Sequence, residues 1–339
     1  MDLFDNQIKE FNKLLLNSKK IVIIPHKDPD GDAIGSSMAW CEALRQRDFE
    51  ARIISSTIIP QNLRWMSCYR YATVYEYRKS KAAEILKNAD LFLFMDFNSL
   101  SRTGELLKFF KYSKTPRILI DHHPNPEKRL ANVVFSDEIA SSTCELCYDI
   151  LIKMGFDITV DMAEALYSGI ITDTGKLTYG SLRPQLYSII SSLTEIGANK
   201  DKVFQNIYQQ ISFDSIRLLG HSLCNKLEII EGLPVAYISL SKEELDKYNY
   251  RPGNTEDFVN FPLTIKDITV AALFTERQKD YVKISFRSHG DIPINEFAQR
   301  YFNGGGHINA SGGETNGTLE QAVEMFRQKI TVFLKSINK

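Results

Sequence analysis

Ile21-Val22-Ile23-Ile24 runs into Pro25-His26-Lys27-Asp28-Pro29-Asp30-Gly31-Asp32, and the reading of this stretch decides the fold. Four consecutive β-branched apolar residues predict a buried strand. The turn that follows sets His26, Asp30 and Asp32 at the strand's carboxyl end, where α/β sheets bind ligands. Oxygen ligands beside an imidazole suggest a divalent metal site. Taken alone, the turn reads equally well as a solvated loop, because Pro, Asp and Gly dominate turns for steric reasons. An EF-hand calcium loop fails: counting from Asp28, Ala33 stands where the glycine is needed and Ala39 where the bidentate glutamate is needed. The choice between turn and site rests on whether ligands arrive from elsewhere in the chain.

Working outward, Ile34, Met38 and Cys41 recur at helical spacing, which places the carboxylates at a strand-to-helix junction. Upstream, Phe4, Ile8, Phe11 and Leu15 predict a docking helix over 2–20, with Asp2 and Asp5 near its start and Lys19 and Lys20 at its end, as the helix dipole favours. The same grammar then repeats. A short helix is predicted over 82–88, followed by the strand Leu91-Phe92-Leu93-Phe94-Met95, which stops at Asp96. Arg117-Ile118-Leu119-Ile120 predicts a third strand, running into Asp121-His122-His123-Pro124. Strands alternating with helices imply a parallel sheet whose carboxyl edge is one shared surface. Three strands ending in Asp or His outweigh ordinary turn chemistry. Helices follow over 141–154, closed by Gly155, and over 161–171. The second leads into Thr172-Asp173-Thr174-Gly175, whose carboxylate reaches the same edge if that helix packs on the sheet.

From 185 to 220 the pattern is a helical connector carrying Ile189, Leu193, Ile196, Val203, Ile207 and Ile211. Beyond it, strands are predicted over 235–240, 268–275 and 281–286, and helices over 255–265, 292–302 and 319–334. Taken alone, the run from Gly304 to Gly306 reads as a flexible loop. The expected domains are 1–185, a linker 186–220, and 221–339.

At 339 residues the chain has length for two domains. Its 41 Lys and Arg against 42 Asp and Glu, a net charge of -1, give no global excess for gripping long duplex nucleic acid through its phosphates. A short anionic substrate in a local pocket stays open. There is no basic segment followed by an apolar core at the N-terminus, and no apolar run near the ~18 residues of a membrane helix, so the expected location is the cytoplasm and no membrane partner is expected. Five cysteines at 41, 68, 144, 147 and 224 suit reduced thiols, and Cys144-Glu145-Leu146-Cys147, inside a helical segment, reads as packing rather than zinc.

The element ends together supply His26, Asp30, Asp32, Asp96, His122 and Asp173, with His123 beside them. Four carboxylates so concentrated repel one another and call for cations, and mixed oxygen and imidazole ligands suit Mn²⁺ or Mg²⁺ better than a thiolate metal. Six ligands imply two ions sharing a carboxylate, with a bridging water deprotonated for in-line attack at phosphorus. Phosphoester hydrolysis is the reaction class that follows.

These residues resemble, in order, the four motifs of the DHH phosphoesterase family: His26-x-x-x-Asp30-Gly31-Asp32-Ala33, Asp96 at a strand end, Asp121-His122-His123, and Thr172-Asp173-Thr174-Gly175. Gly304-Gly305-Gly306-His307 with Ala310-Ser311-Gly312 is similar to the signature of the family's C-terminal DHHA1 domain, so the resemblance spans about residues 20–315. It implies an α/β architecture in which a parallel-sheet catalytic domain is joined by a helical linker to a smaller mixed α/β domain, with the active site in the cleft between. It implies one Mn²⁺ on His26, Asp30 and Asp96 and a second on Asp32, Asp96, His122 and Asp173, with Mg²⁺ or Co²⁺ as alternative ions. His123 would stand at the scissile phosphate and Asp121 would orient the ligand histidines. Arg102 would contact substrate phosphate. Arg287, Ser288, Gly304, Gly305, Gly306 and His307 would hold the substrate's terminal phosphate or base, since glycine lets a backbone approach an anion and arginine suits bidentate recognition.

The branch most resembled, the nanoRNase type, implies hydrolysis of oligoribonucleotides of two to five residues and of 3'-phosphoadenosine 5'-phosphate. Four alternatives stand beside it: a phosphodiesterase of cyclic di-AMP or its linear product, a processive single-strand DNA exonuclease, a two-domain inorganic pyrophosphatase, and a non-catalytic nucleotide-binding module. In one departure, Leu177 and Thr178, with Tyr179 next, stand where the family places an aromatic and then a basic residue. His221 and His289 have no family match and read as ordinary histidines. The oligomeric state, homodimer included, is left open.

Overall fold

Ile21–Ile24 lie near the centre of a six-stranded parallel sheet in the computed structural model, which describes residues 4–127, 129–178, 182–209, 212–251, 253–255 and 257–337. Asp2, Tyr179 and Ile211 lie outside the described residues. The strands are β1 (Lys20–Pro25), β2 (Glu50–Ser55), β3 (Ala72–Val74), β4 (Leu91–Met95), β5 (Arg117–Asp121) and β6 (Val133–Ser136), in the order β3-β2-β1-β4-β5-β6. The chain builds outward from β1 in one direction and from β4 in the other. The crevice between β1 and β4 is therefore the topological switch point, the place where open α/β sheets bind ligands. Both faces are covered: Ile21 and Ile23 enter one core, Val22 and Ile24 the other, as the two-residue period of a strand requires.

The first unit's helices are α1 (Asp5–Leu16), α2 (Gly31–Gln46), α3 (Lys79–Lys87), α4 (Leu107–Phe110), α5 (Thr143–Lys153), α6 (Val160–Asp173), α7 (Pro184–Ile196) and α8 (Lys200–Tyr208). The first helix is shorter than expected. The Lys19 and Lys20 amides donate to the Asp90 carboxylate at 2.9 and 2.8 Å and so belong to the entry of β1. Strands β2, β3 and β6 were not anticipated. β3 and β6 are short, and β2 mixes buried residues with the exposed Glu50 and Arg52 and has no long apolar run.

The chain forms two compact units, Met1–Gln210 and Ile211–Lys339. The second contains α9 (Phe213–Asn225), β7 (Leu227–Ile229), β8 (Val235–Leu240), α10 (Lys242–Lys247), β9 (Val270–Gln278), β10 (Tyr281–Ser288), α11 (Ile294–Tyr301), β11 (Gly305–His307), β12 (Ala310–Asn316) and α12 (Leu319–Ile337). Its six-stranded sheet runs β11-β12-β10-β9-β8-β7, with β8 and β9 parallel and the other pairs antiparallel. One face packs an aromatic core of Phe274, Phe286, Phe297, Phe302 and Phe326. Two expectations are corrected here. Residues 255–265 form no α-helix; a 3-10 helix, Phe258–Thr264, replaces it around Pro262, which cannot donate an interior helical hydrogen bond. The glycine run is an ordered hairpin of β11 and β12, not a flexible loop. A Cβ on Gly304 would meet the Gly312 carbonyl oxygen at 2.1 Å, and one on Gly306, at φ 144°, the Ala310 oxygen at 2.6 Å. Close backbone packing requires these glycines.

Within this unit, Glu244 accepts from the Ser241 amide at 2.9 Å and pairs with Lys226 at 2.7 Å and His221 at 2.9 Å. Burial alone would raise its pKa, but Lys226, the Ser241 amide and His221 outweigh it and lower the carboxyl to about 2. A depressed folded-state value contributes stability above the ordinary 4.5 and loses it as pH falls toward 2. Glu244→Gln is expected to cost about 1 kcal/mol at neutral pH, after allowance for solvent screening, with the difference shrinking through that window. Urea unfolding of both proteins across pH 2–7 measures it.

Candidate active site

Every expected metal ligand sits at the switch point. His26 follows β1, Asp30 caps α2 by accepting the Asp32 and Ala33 amides at 3.1 Å, and Asp32 lies in the first turn of that helix. Asp96 follows β4 and His122 follows β5. Asp96 adopts φ 64°, a left-handed conformation that Asp tolerates better than most residues and that recurs at functional sites.

Asp173 arrives from α6 because that helix lies unusually close to α2. A Cβ on Gly31 would stand 2.2 Å from Thr172 Oγ1, and one on Gly35 would stand 2.4 Å from the Ala165 carbonyl oxygen. Gly169 answers from α6, where a Cβ would come within 2.9 Å of Asp32 Oδ1. Gly35→Ala is expected to destabilise the metal-free protein by about 1–3 kcal/mol, because the clash is with backbone. Pushing α6 outward would also draw Asp173 away from His122, 3.3 Å from it, and so weaken divalent-metal binding by the cluster. Urea midpoints and a Mn²⁺ titration of the variant test both effects.

Distances divide the cluster into two halves that share Asp96. His26 Nε2 lies 3.7 Å from Asp30 Oδ2 and 3.6 Å from Asp96 Oδ2. His122 Nε2 lies 3.8 Å from Asp32 Oδ2, 3.7 Å from Asp96 Oδ1 and 3.3 Å from Asp173 Oδ2. His26, Asp30 and Asp96 converge closely enough to hold one ion, and Asp32, Asp96 and His122 a second. Both His26 and His122 present Nε2 to the carboxylates. Their Nδ1–H groups donate to main-chain carbonyls, His26 to Lys27 at 2.7 Å and His122 to Ala140 at 3.2 Å, the contact that fixes a metal-binding tautomer.

The hydrogen-bond partner of Asp121 is His123, Oδ1 to Nδ1 at 2.8 Å, while His26 and His122 contact the Lys27 and Ala140 carbonyls. Asp121 Oδ2 is buried with no hydrogen bond among the described residues. Arg102 lies in the 3-10 helix Leu100–Leu106, where its carbonyl accepts the Lys27 N–H at 2.6 Å and its charge opposes protonation of His26.

The electrostatics fit a cation-binding cluster. Burial, reinforced by Asp96 and Asp173, pushes the Asp32 carboxyl well above its ordinary range. Burial would lower His26, but hydrogen bonding to Asp30 and Asp96 outweighs it and raises the imidazole to about 10. Asp96, against its own burial, is lowered by His26 together with the charges of His123 and His122. The carboxylates thus favour protonation of His26 and His122, and divalent cations would take over that charge balance. Cys144 and Cys147 lie buried in the hydrophobic core, as their spacing suggested.

Sequence reasoning missed what holds Asp32. The Thr143 and Cys144 amides, at the start of α5, donate to Asp32 Oδ2 and Oδ1 at 2.6 and 2.8 Å, and Thr143 Oγ1 donates to Asp96 Oδ1 at 2.9 Å. Ser142-x-x-Glu145 announces a helix start. It does not announce what the first amides bind.

In the second unit, Arg287 and His307 both stand opposite Ala310, one from each neighbouring strand, so they share a row across β10, β12 and β11 with Gly305 and Gly306 nearby. The Arg287 Nε is buried without a hydrogen bond among the described residues. Ser288 Oγ donates to the Ile292 carbonyl at 2.8 Å and accepts from Asn309 at 2.9 Å. His221 pairs with Glu244, as an ordinary histidine would.

A carboxylate and imidazole cluster at the switch point of a parallel sheet, in a chain with a second mixed-sheet domain, defines a hydrolase that uses divalent metal. The chain belongs to the DHH family of metal-dependent phosphoesterases: the DHH family's N-terminal domain matches residues 20–170 and the DHHA1 domain matches residues 232–336. An exopolyphosphatase-related protein from Bacteroides fragilis superimposes with a TM-score of 0.92 at 37% identity, covering 98% of each chain. The bifunctional oligoribonuclease and PAP phosphatase NrnA of Thermus thermophilus is 26% identical over 92% of this chain and 90% of its own. The cyclic-di-AMP phosphodiesterase GdpP of Geobacillus thermodenitrificans is 23% identical over 94% of this chain but 48% of its own length. Among the described residues, no helix is long and apolar enough to cross a membrane.

Proposed function

We propose that this protein hydrolyses oligoribonucleotides of two to five residues to mononucleotides and converts 3'-phosphoadenosine 5'-phosphate to AMP, using two Mn²⁺ ions in the cytoplasm. The end-to-end similarity to a bifunctional oligoribonuclease and PAP phosphatase carries this reading. When bound, the two cations would supply Lewis acidity at phosphorus and an acidified water. His26, Asp30 and Asp96 would hold one ion, and Asp32, Asp96, His122 and Asp173 the other. His123, held through Nδ1 by Asp121, would stand at the scissile phosphate as a hydrogen-bond donor or acid. Arg102, Arg287, Ser288, the glycines Gly304 to Gly306 and His307 bind substrate phosphate or base. The balanced charge of the chain supports short substrates over long duplex.

The test incubates protein and Mn²⁺ with a dinucleotide, a 24-mer RNA, 3'-phosphoadenosine 5'-phosphate, cyclic di-AMP and pyrophosphate. Turnover of the dinucleotide and the bisphosphate nucleotide, with the 24-mer slow, is the expected result. Equal rates on dinucleotide and 24-mer would overturn the length preference. The similarity to a cyclic-di-AMP phosphodiesterase supports a second reading, which faster turnover of cyclic di-AMP than of its linear product would favour.

A further inference from the structure

We propose that Thr143 is a positioning residue that sets which Asp96 oxygen serves which ion, an inference that rests on the two-ion reading above. Thr143 is fully buried and joins both halves of the site: its amide donates to Asp32 Oδ2 at 2.6 Å and its hydroxyl to Asp96 Oδ1 at 2.9 Å. Asp96 Oδ1 is the oxygen on the His122 side, whereas Oδ2 faces His26. A carboxylate that bridges two ions must keep its plane fixed. Rotation about its terminal torsion is otherwise soft, because sp³–sp² torsions have broad wells. The Thr143 hydroxyl donates to Oδ1 only, so it fixes which Oδ1 lone pair is left for the ion on the His122 side, whereas Oδ2 faces His26.

The donor is itself held rigidly. Ser142 Oγ accepts the Glu145 amide at 3.1 Å, and the buried Glu145 carboxylate accepts the Ser141 amide at 2.7 Å. Arg183 then clamps Glu145, Nε to Oε1 at 2.9 Å, and reaches Asp137 at 3.3 Å. The start of α5 is thus tied down on both sides, and its position carries through Thr143 to the shared ligand. Outer contacts of this kind change metal affinity about 10–100-fold when removed.

The predicted effect is one-sided. Removing the hydroxyl weakens the ion held by Asp32, Asp96 Oδ1, His122 and Asp173, and spares the ion held by His26, Asp30 and Asp96 Oδ2. The experiment titrates the metal-free full chain with MnCl₂ by calorimetry and records electron paramagnetic resonance at two equivalents. The parent should bind two ions and show a spin-coupled pair. Thr143→Val and Thr143→Ala should each weaken one site about 10–100-fold, leave the other within about twofold, and replace the coupled signal with that of isolated Mn²⁺. Thr143→Ser should restore both the affinity and the coupled signal. Two ions bound with parental affinity by the hydroxyl-free variants would overturn the proposal while leaving the two-ion reading intact. Equal weakening of both sites with a lowered metal-free Tm, or failure of Thr143→Ser to restore the site, would overturn it in favour of a purely structural role. Fewer than two ions on the parent protein would overturn the two-ion reading, and the proposal with it.

Discussion

Asp96→Asn is expected to lower kcat/KM on a dinucleotide by a factor on the order of 10⁴ to 10⁶, the range seen when one member of a group that acts as a unit is removed. Asp96 is 2% exposed and faces imidazoles on both sides, with Oδ2 3.6 Å from His26 and Oδ1 3.7 Å from His122. An amide of the same shape keeps a single acceptor and aims an NH₂ group at whichever half it turns away from. One ion then loses an anionic ligand and meets a donor in its place. Because Asn also tolerates the left-handed backbone at φ 64°, the loss reads on the site rather than on the fold. Steady-state kinetics with Mn²⁺ in excess give the answer, and activity within tenfold of the parent would remove Asp96 from the shared position.

Metal removal should be nearly as conspicuous in stability. Asp32 is pushed up by burial and by its neighbours Asp96 and Asp173, so the empty cluster opposes its own ionisation and an ion relieves it. A ligand at 100-fold over its Kd that binds only the folded state adds about 2.7 kcal/mol. For a unit of roughly 150–250 residues, each kcal/mol moves Tm by about 2–4 °C, so one occupied site gives roughly 5–11 °C. Calorimetry in chelator and in excess Mn²⁺ should show a rise at least that large, reversed by chelation. An unchanged Tm would contradict a metal centre built into this unit.

Much of the site is legible in one dimension for a simple reason. A buried strand of a parallel sheet is an uninterrupted apolar run, so the residue at which the run stops is visible, and in this architecture that residue stands at the binding edge. His26, Asp96 and Asp121-His122-His123 are all found this way. Asp173 is different in kind, since it ends a helix, and only the contact of Gly31 and Gly35 with α6 brings it in. Strands β3 and β6 escaped because they are short, and β2 because Glu50 and Arg52 interrupt its apolar residues. The β11–β12 hairpin escaped because glycine has little intrinsic strand preference, and only its close backbone contacts reveal why glycine is there.

The sequence by itself determined the family, the parallel-sheet architecture and which side chains gather as candidate ligands, because strand ends and side-chain chemistry are local properties. The tertiary structure alone decided how those ligands are aimed. Asp32 is held by amides 111 and 112 residues away, the ligand imidazoles are turned by the Lys27 and Ala140 carbonyls, and Asp96 is oriented by a left-handed backbone and a threonine hydroxyl from α5. No local propensity encodes these contacts, because they exist only where helices distant in sequence pack together over the same edge of the sheet.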